Sequence, residues 1–122
     1  MTVEEFYNVL EGDYIELTSR ISNEDRLRIY LYIFSNDNTF TNLCTEIDNN
    51  NLQKAFVCAH TLKSFSKSLS LPTLFVYCDL ITKALHNNNL KQAILFLPAL
   101  SREYTRVITK INDLQITECS KL

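Results

Sequence analysis

The chain has 122 residues, of which 46% are apolar, with one glycine, two prolines and a formal net charge of −2. That length and apolar content suit a single domain over residues 1–122 with a real core, and exclude a disordered segment. So few chain breakers argue against an all-β fold and leave no glycine-rich phosphate loop, and a pI near 5.6 makes nucleic acid a poor partner.

Helical periodicity runs almost end to end. Thr2 with Glu5 reads as a capping box opening a short helix that Gly12 ends. Ser22 with Asp25 is set to cap a second helix, with Leu27, Tyr30, Leu31 and Phe34 on one face. Asp37 or Asn38 opens a third, in which Phe40, Leu43, Cys44 and Ile47 recur at i, i+3, i+4 and i+7. The Asn49–Asn51 run ends that helix and starts a fourth, from Leu52 to Leu69. Pro72 suits the first turn of a fifth, which carries Leu74, Tyr77, Cys78, Ile81, Ala84 and Leu85 inward. After the Asn87–Asn89 turn a long last helix follows, with Leu90, Ala93, Ile94, Leu97, Leu100, Tyr104, Ile108 and Ile111 on its stripe and a kink expected at Pro98.

Short polar links between amphipathic helices predict antiparallel neighbours. The expected fold is therefore all-α, an antiparallel up-down four-helix bundle. Its main helices are placed at about residues 38–50, 51–69, 71–87 and 89–114, with the N-terminal helices covering one end. Phe40, Phe56, Ile81 and Ile94 are expected to meet in its core. The echo between Asn49–Ala55 (NNNLQKA) and Asn87–Ala93 (NNNLKQA) fits two similar capped turns better than a repeat array.

Charge is unevenly spread. Residues 1–48 hold ten acids and three bases, residues 49–122 four acids and nine bases, and no Asp or Glu lies between Asp48 and Asp79. Such asymmetry speaks of partners rather than of fold. The acidic N-terminus has no secretory pattern and the longest apolar run, near Ala93–Leu100, is too short to span a bilayer, so a cytoplasmic protein is expected. Cys44, Cys58, Cys78 and Cys119 form no CxxC pair, and three of them fall on apolar helix faces. Reduced buried thiols are the expectation.

A helix advances about 100° per residue, which lays out the fourth helix as a wheel. Leu52, Ala55, Phe56, Ala59, Leu62, Ser66 and Leu69 form its buried arc, with His60 just off one edge. Lys63, Ser64 and Lys67 follow at i+3, i+4 and i+7 on the same flank. A nucleophilic imidazole must be neutral, and adjacent ammonium groups disfavour the imidazolium. The same ammonium groups would pair with a phosphoryl group once it is attached. Geometry alone weighs this evenly against a solvated surface histidine. His86, in the next turn, has no second ligand at metal spacing and reads as a solvated turn residue.

The segment Ala59-His60-Thr61-Leu62-Lys63-Ser64 resembles the A-H-x-L-K-G core of histidine-containing phosphotransfer (HPt) domains. The resemblance extends over about residues 12–113. It takes in Gly12-Asp13, the turn before the histidine helix, the polar turn at Asn87, and the Glu103-Tyr104 pair in the last helix. It departs at Ser64, where a glycine is usual, at Lys67, where a small residue is usual, and at Ser70, where a glycine is common. The resemblance implies that His60 accepts the phosphoryl group, that Lys63 pairs with it, and that Ser64 and Lys67 border the surface that docks a partner. It also implies a phosphorelay intermediate with no enzymatic activity or nucleotide site of its own. Its partners would be response-regulator receiver domains and a hybrid sensor histidine kinase, with no membrane and no nucleic acid. It would be a monomer with no cofactor of its own, Mg²⁺ being carried by the partner receiver. The alternative is a degenerate HPt-like module that binds a receiver or dimerises without carrying phosphate.

Overall fold

The computed structural model describes residues 1–120, with side chains through Leu114. The chain forms helices α1 (Val3–Val9), α2 (Tyr14–Arg20), α3 (Glu24–Ser35), α4 (Thr39–Asp48), α5 (Leu52–Ser68), α6 (Pro72–His86) and α7 (Leu90–Ser120), with no strand among the described residues. The four main helices read from periodicity correspond to α4–α7, and α7 continues through Pro98. α2 is an addition: the sequence shows no helix between Gly12 and Ser22, yet Asp13 caps one by accepting from the Glu16 amide at 3.0 Å.

Side-chain oxygens open most helices. Thr2 and Glu5 form the expected capping box. α3 starts on Asn23 rather than Ser22, its Oδ1 accepting from the Asp25 and Arg26 amides. At α4 the carboxylate of Asp37 accepts from the Thr39 amide at 2.8 Å.

The helix ends share one device. Glu11, Asn50, Ser70 and Asn88 all hold left-handed backbone, with φ between 52° and 58°. In each turn the next residue's amide reaches back five positions: Gly12 to the Tyr7 carbonyl, Asn51 to Glu46, Leu71 to Ser66, and Asn89 to Ala84. These are Schellman ends made almost without glycine. They also explain the sequence echo. In each Asn triplet the first residue closes a helix, the second takes the left-handed position and the third caps the next helix, Asn51 accepting from the Lys54 amide and Asn89 from the Gln92 amide.

Gly12 itself does not occupy the left-handed position, which falls to Glu11. Its role is space: a Cβ there would lie 2.5 Å from the Tyr7 ring and 2.9 Å from the Ser70 carbonyl oxygen. The missing side chain lets the α1–α2 turn settle against the turn that ends α5, where the Asp13 amide donates to the same carbonyl.

α5 packs against both α4 and α6, and α6 packs against α7; α1 and α3 lean on α7. Lys63 meets Asp79, Ser66 meets Cys78 and Phe56 meets His86, so α5 and α6 run antiparallel. The core gathers residues from all seven helices, among them Phe6, Leu17, Phe34, Leu43, Leu62, Ile81 and Leu100. Tyr104 stacks on Phe40 with centroids 4.3 Å apart and meets the edge of Phe34, joining α3, α4 and α7. Glu103, buried beside it, holds Arg106 at 3.0 Å, and Arg106 donates to the Val9 carbonyl at 2.6 Å, which fastens the end of α1 to α7.

Four core expectations need correction. Of the expected quartet only Ile81 is fully buried; Phe40 and Phe56 are half-buried, and Ile94 is 49% exposed. α7 turns Ala93, Leu100, Val107 and Ile111 to the core, so Ile94 falls one position outside the stripe. Tyr30 likewise lies beside the buried Leu27–Leu31–Phe34 seam, not in it.

Phe34→Ala should therefore destabilise the fold by roughly 3–5 kcal/mol, and Ile94→Ala by less than about 0.5 kcal/mol, in urea unfolding followed by circular dichroism. The α1–α2 turn supplies a paired test. Glu11→Gly should stabilise by about 1 kcal/mol by relieving left-handed backbone, whereas Gly12→Ala one residue later should destabilise by about 1–3 kcal/mol through collision. Opposite signs at adjacent positions are the result to look for in the same unfolding assay.

Candidate functional site

The phase of α5 follows from its small and apolar residues. Ala55, Ala59, Leu62, Ser66 and Leu69 are buried, and the polar Ser66 is satisfied by donating to the Leu62 carbonyl at 2.8 Å. That phase brings His60, Lys63, Ser64 and Lys67 onto one flank, as the spacing predicts, with His60, Ser64 and Lys67 exposed. Ser64 Oγ donates to the His60 carbonyl at 3.1 Å, which folds its hydroxyl back onto the helix and leaves the ridge beyond His60 low.

The His60 ring lies beside Phe56, centroids 6.1 Å apart, and the other side of Phe56 meets His86 at 5.7 Å. Phe56 is thus a half-buried aromatic between two exposed histidines rather than part of the inner core. His86 is correspondingly the last residue of α6, set against that ring, not a turn residue in free solvent.

Lys63 is not free beside His60. Its Nζ lies 3.0 Å from Asp79 Oδ1 and 5.7 Å from the centroid of the Phe75 ring, and the side chain is only 30% exposed. Asp79 Oδ2 also takes Lys83 Nζ at 2.8 Å. Lys83, then Lys63, hold the Asp79 carboxyl below the usual carboxylate range. The acid-free stretch around His60 therefore ends in space sooner than it does along the chain, because α6 folds a carboxylate back against it. Lys67 stands two turns beyond His60, at a shallow hollow shared with Asp13, Ser66, Ser70, Pro72 and Phe75.

Ser70 closes the far end of α5. Its hydroxyl donates to the Glu16 carboxylate, while Arg20 donates to Glu16, to the Ser68 carbonyl at 3.1 Å and to Ser70 Oγ at 3.1 Å. A glycine would ease the backbone but lose this clamp between α2 and α5. The Arg20 and Ser70 bonds hold Glu16 down to about 2.

The described thiols offer no competing nucleophile. Cys78 is buried and pushed up to about 11 by desolvation; Cys44 and Cys58, half-buried, are also shifted upward by burial. All three are unpaired, and Cys119 lies outside the described side chains. Among the described residues no group of three or more His, Cys, Asp or Glu side chains could hold a metal ion, and no helix is long and apolar enough to cross a membrane. Comparison with family models, with curated proteins and with solved structures gives no match.

The flank of α5 was legible; the groups α6 brings to it were not. Asp79 and Lys83 at i, i+4 carry a signal on their own helix, but their place beside Lys63 depends on the antiparallel register of α5 and α6.

Glu16 supplies a pH test of the α2 clamp. Its folded pKa lies below its ordinary value near 4.5, so its stabilising contribution is complete above that value and is lost as pH falls toward about 2. In acid unfolding, wild type should exceed Glu16→Gln in stability near neutral pH, and the two curves should converge between about pH 5 and about pH 2.

Proposed function

We propose that this chain is a histidine-containing phosphotransfer carrier in which His60 takes a phosphoryl group from one receiver domain and passes it to another. α4–α7 then form the antiparallel up-down bundle, with α1–α3 covering one end. The observation that carries the proposal is an exposed histidine in mid-helix, beside a low ridge at Ser64 and flanked by lysines, on a rigid packed scaffold. Such a ring is open to a second protein domain and needs no pocket of its own.

In the forward step an imidazole nitrogen attacks the phosphorus of a phosphoaspartate. The P–O bond of the acyl phosphate breaks, an N–P bond forms, the ring releases its proton to solvent, and the partner's aspartate leaves as a carboxylate. Transfer to the second receiver reverses these changes. Mg²⁺ belongs to the receiver, whose carboxylates hold it. Nucleotide chemistry belongs to an upstream hybrid histidine kinase. Lys63 turns from Asp79 to the phosphoryl group, and Lys67 meets the docked receiver.

One observation favours a second reading, a degenerate module that docks a receiver without carrying phosphate: Lys63 is already engaged by Asp79. Phosphorylation separates the two. Incubation with a panel of phosphorylated receiver domains should label the chain with an acid-labile, base-stable phosphoramidate, and His60→Gln should abolish the label while leaving helical circular dichroism intact. Label that persists in that variant, or maps to His86, rejects His60 as carrier. Lys67→Glu should slow transfer at sub-saturating partner, and added salt should narrow its gap from wild type.

A further inference from the structure

Asp79 binds two ammonium groups at once, Lys63 from α5 at 3.0 Å and Lys83 from its own helix at 2.8 Å. The antiparallel register of α5 and α6 brings this cluster to the His60 flank. Lys63 lies opposite Asp79 and Phe56 opposite His86, so His60, between Phe56 and Lys63, faces the stretch of α6 that carries Thr82 and Lys83. Thr82 is buried and donates to the Cys78 carbonyl, which leaves exposed Lys83 as the polar group on the rim across from the ring.

We propose that Asp79 and Lys83 belong to the phosphoryl site: Asp79 is a built-in counter-ion that positions Lys63 and Lys83 beside unmodified His60, and the arriving phosphoryl group takes over both ammonium groups. The proposal rests on the phosphocarrier reading above. The charge balance fits. Two ammonium groups on one carboxylate leave a surplus positive charge, and a phosphoryl group brings between one and two negative charges. Both lysines are already held by ion pairs to Asp79, and the Lys63 ammonium also lies over the Phe75 ring, so the exchange redirects charged ends that are already gathered at one place. Asp79 also opposes the phosphoryl group as a like charge. A carrier must release what it accepts, and a carboxylate facing the adduct keeps two lysines from making phosphohistidine a dead end. Asp79 is thus a positioning residue, and Lys83 a second phosphate-pairing cation opposite Lys63.

The ordinary alternative is a surface ion-pair network that ties α5 to α6 and has no part in phosphate chemistry. The second ionisation of the attached phosphoryl group separates them, because it responds to nearby charge and not to fold stability. The full chain is to be phosphorylated with phosphoramidate. The donor's P–N bond breaks, an N–P bond forms on His60, and the leaving amine takes up the ring proton as ammonium. The phosphohistidine resonance is then titrated by ³¹P NMR. Removing one charge beside the adduct, near the surface, should move the midpoint by about half a unit or more. Asp79→Asn should move it down, Lys83→Met should move it up, and Lys91→Met, on α7, should leave it in place. A Lys83→Met titration that overlays that of Lys91→Met, with the phosphohistidine signal present in both, overturns the proposal. Absence of any His60 phosphohistidine signal in the wild-type chain is a different failure. It removes the phosphocarrier reading and this inference with it.

Discussion

The rotational phase of α5 governs the rest of the site, and small side chains set it. α5 is gripped on two sides, by α4 and by α6. Ala55, Ala59 and Ser66 let the neighbouring helices approach, while Leu62 and Leu69 fill the space between them. With that stripe inward, His60 sits one residue beyond a buried alanine, about 100° round the helix, and the same rotation exposes Ser64 and Lys67. A larger residue at Ala59 would force α5 to roll or retreat, and the histidine would move with it. The buried Ser66 shows how tightly the phase is held. Its hydroxyl is satisfied within α5 and lies 3.8 Å from Cys78 Sγ, so a polar atom is accommodated where α5 meets α6.

The turns complete that constraint. Each link between the long helices is too short to wander, and each uses left-handed backbone at a residue other than glycine. Asn50 and Asn88 tolerate the conformation because a short polar side chain can bond locally. Ser70 tolerates it with outside support, since Glu16 and Arg20 bind its hydroxyl from α2. The strained end of the histidine helix is thus fastened by a helix some fifty residues earlier in the chain. Residues far from His60 thereby fix the axis along which Lys67 is presented.

The long helices were readable because a period of 3.6 repeats several times in each, and repetition averages out single errors. α2 was not readable. It has seven residues, only Leu17 of it is buried, and it owes its place to Arg20 and Glu16 meeting the Ser70 turn. Phe56 and Ile94 were placed too deep for one reason. Both lie at the edge of an apolar arc, and arc width depends on the neighbouring helices, which a wheel drawn for one helix does not contain. Gly12 was read as a helix stop through backbone freedom, whereas its use is the room it leaves for Tyr7 and the Ser70 carbonyl. Of the site, the flank carried by α5 was visible in the His60–Lys67 spacing. The α6 half was hidden because Asp79 is sixteen residues from Lys63 in the chain but within an ion pair of it in the fold.

The exposure of the site shapes its energetics. Asp79, Lys63 and Lys83 lie near solvent, where water weakens every charge pair, and such pairs contribute at most about 1 kcal/mol to stability. Under the proposed function the same groups act in a different medium. A receiver domain that docks over His60 removes water from the facing flanks of α5 and α6, and the local dielectric falls. Coulomb energies scale inversely with that dielectric, so an arrangement nearly neutral for folding becomes consequential for transfer once a partner covers it. The free chain then needs no enclosed cavity to hold phosphate chemistry in reserve. On that proposal, half of the chemical environment is built into α5 and α6, and the partner's surface would supply the other half together with its metal.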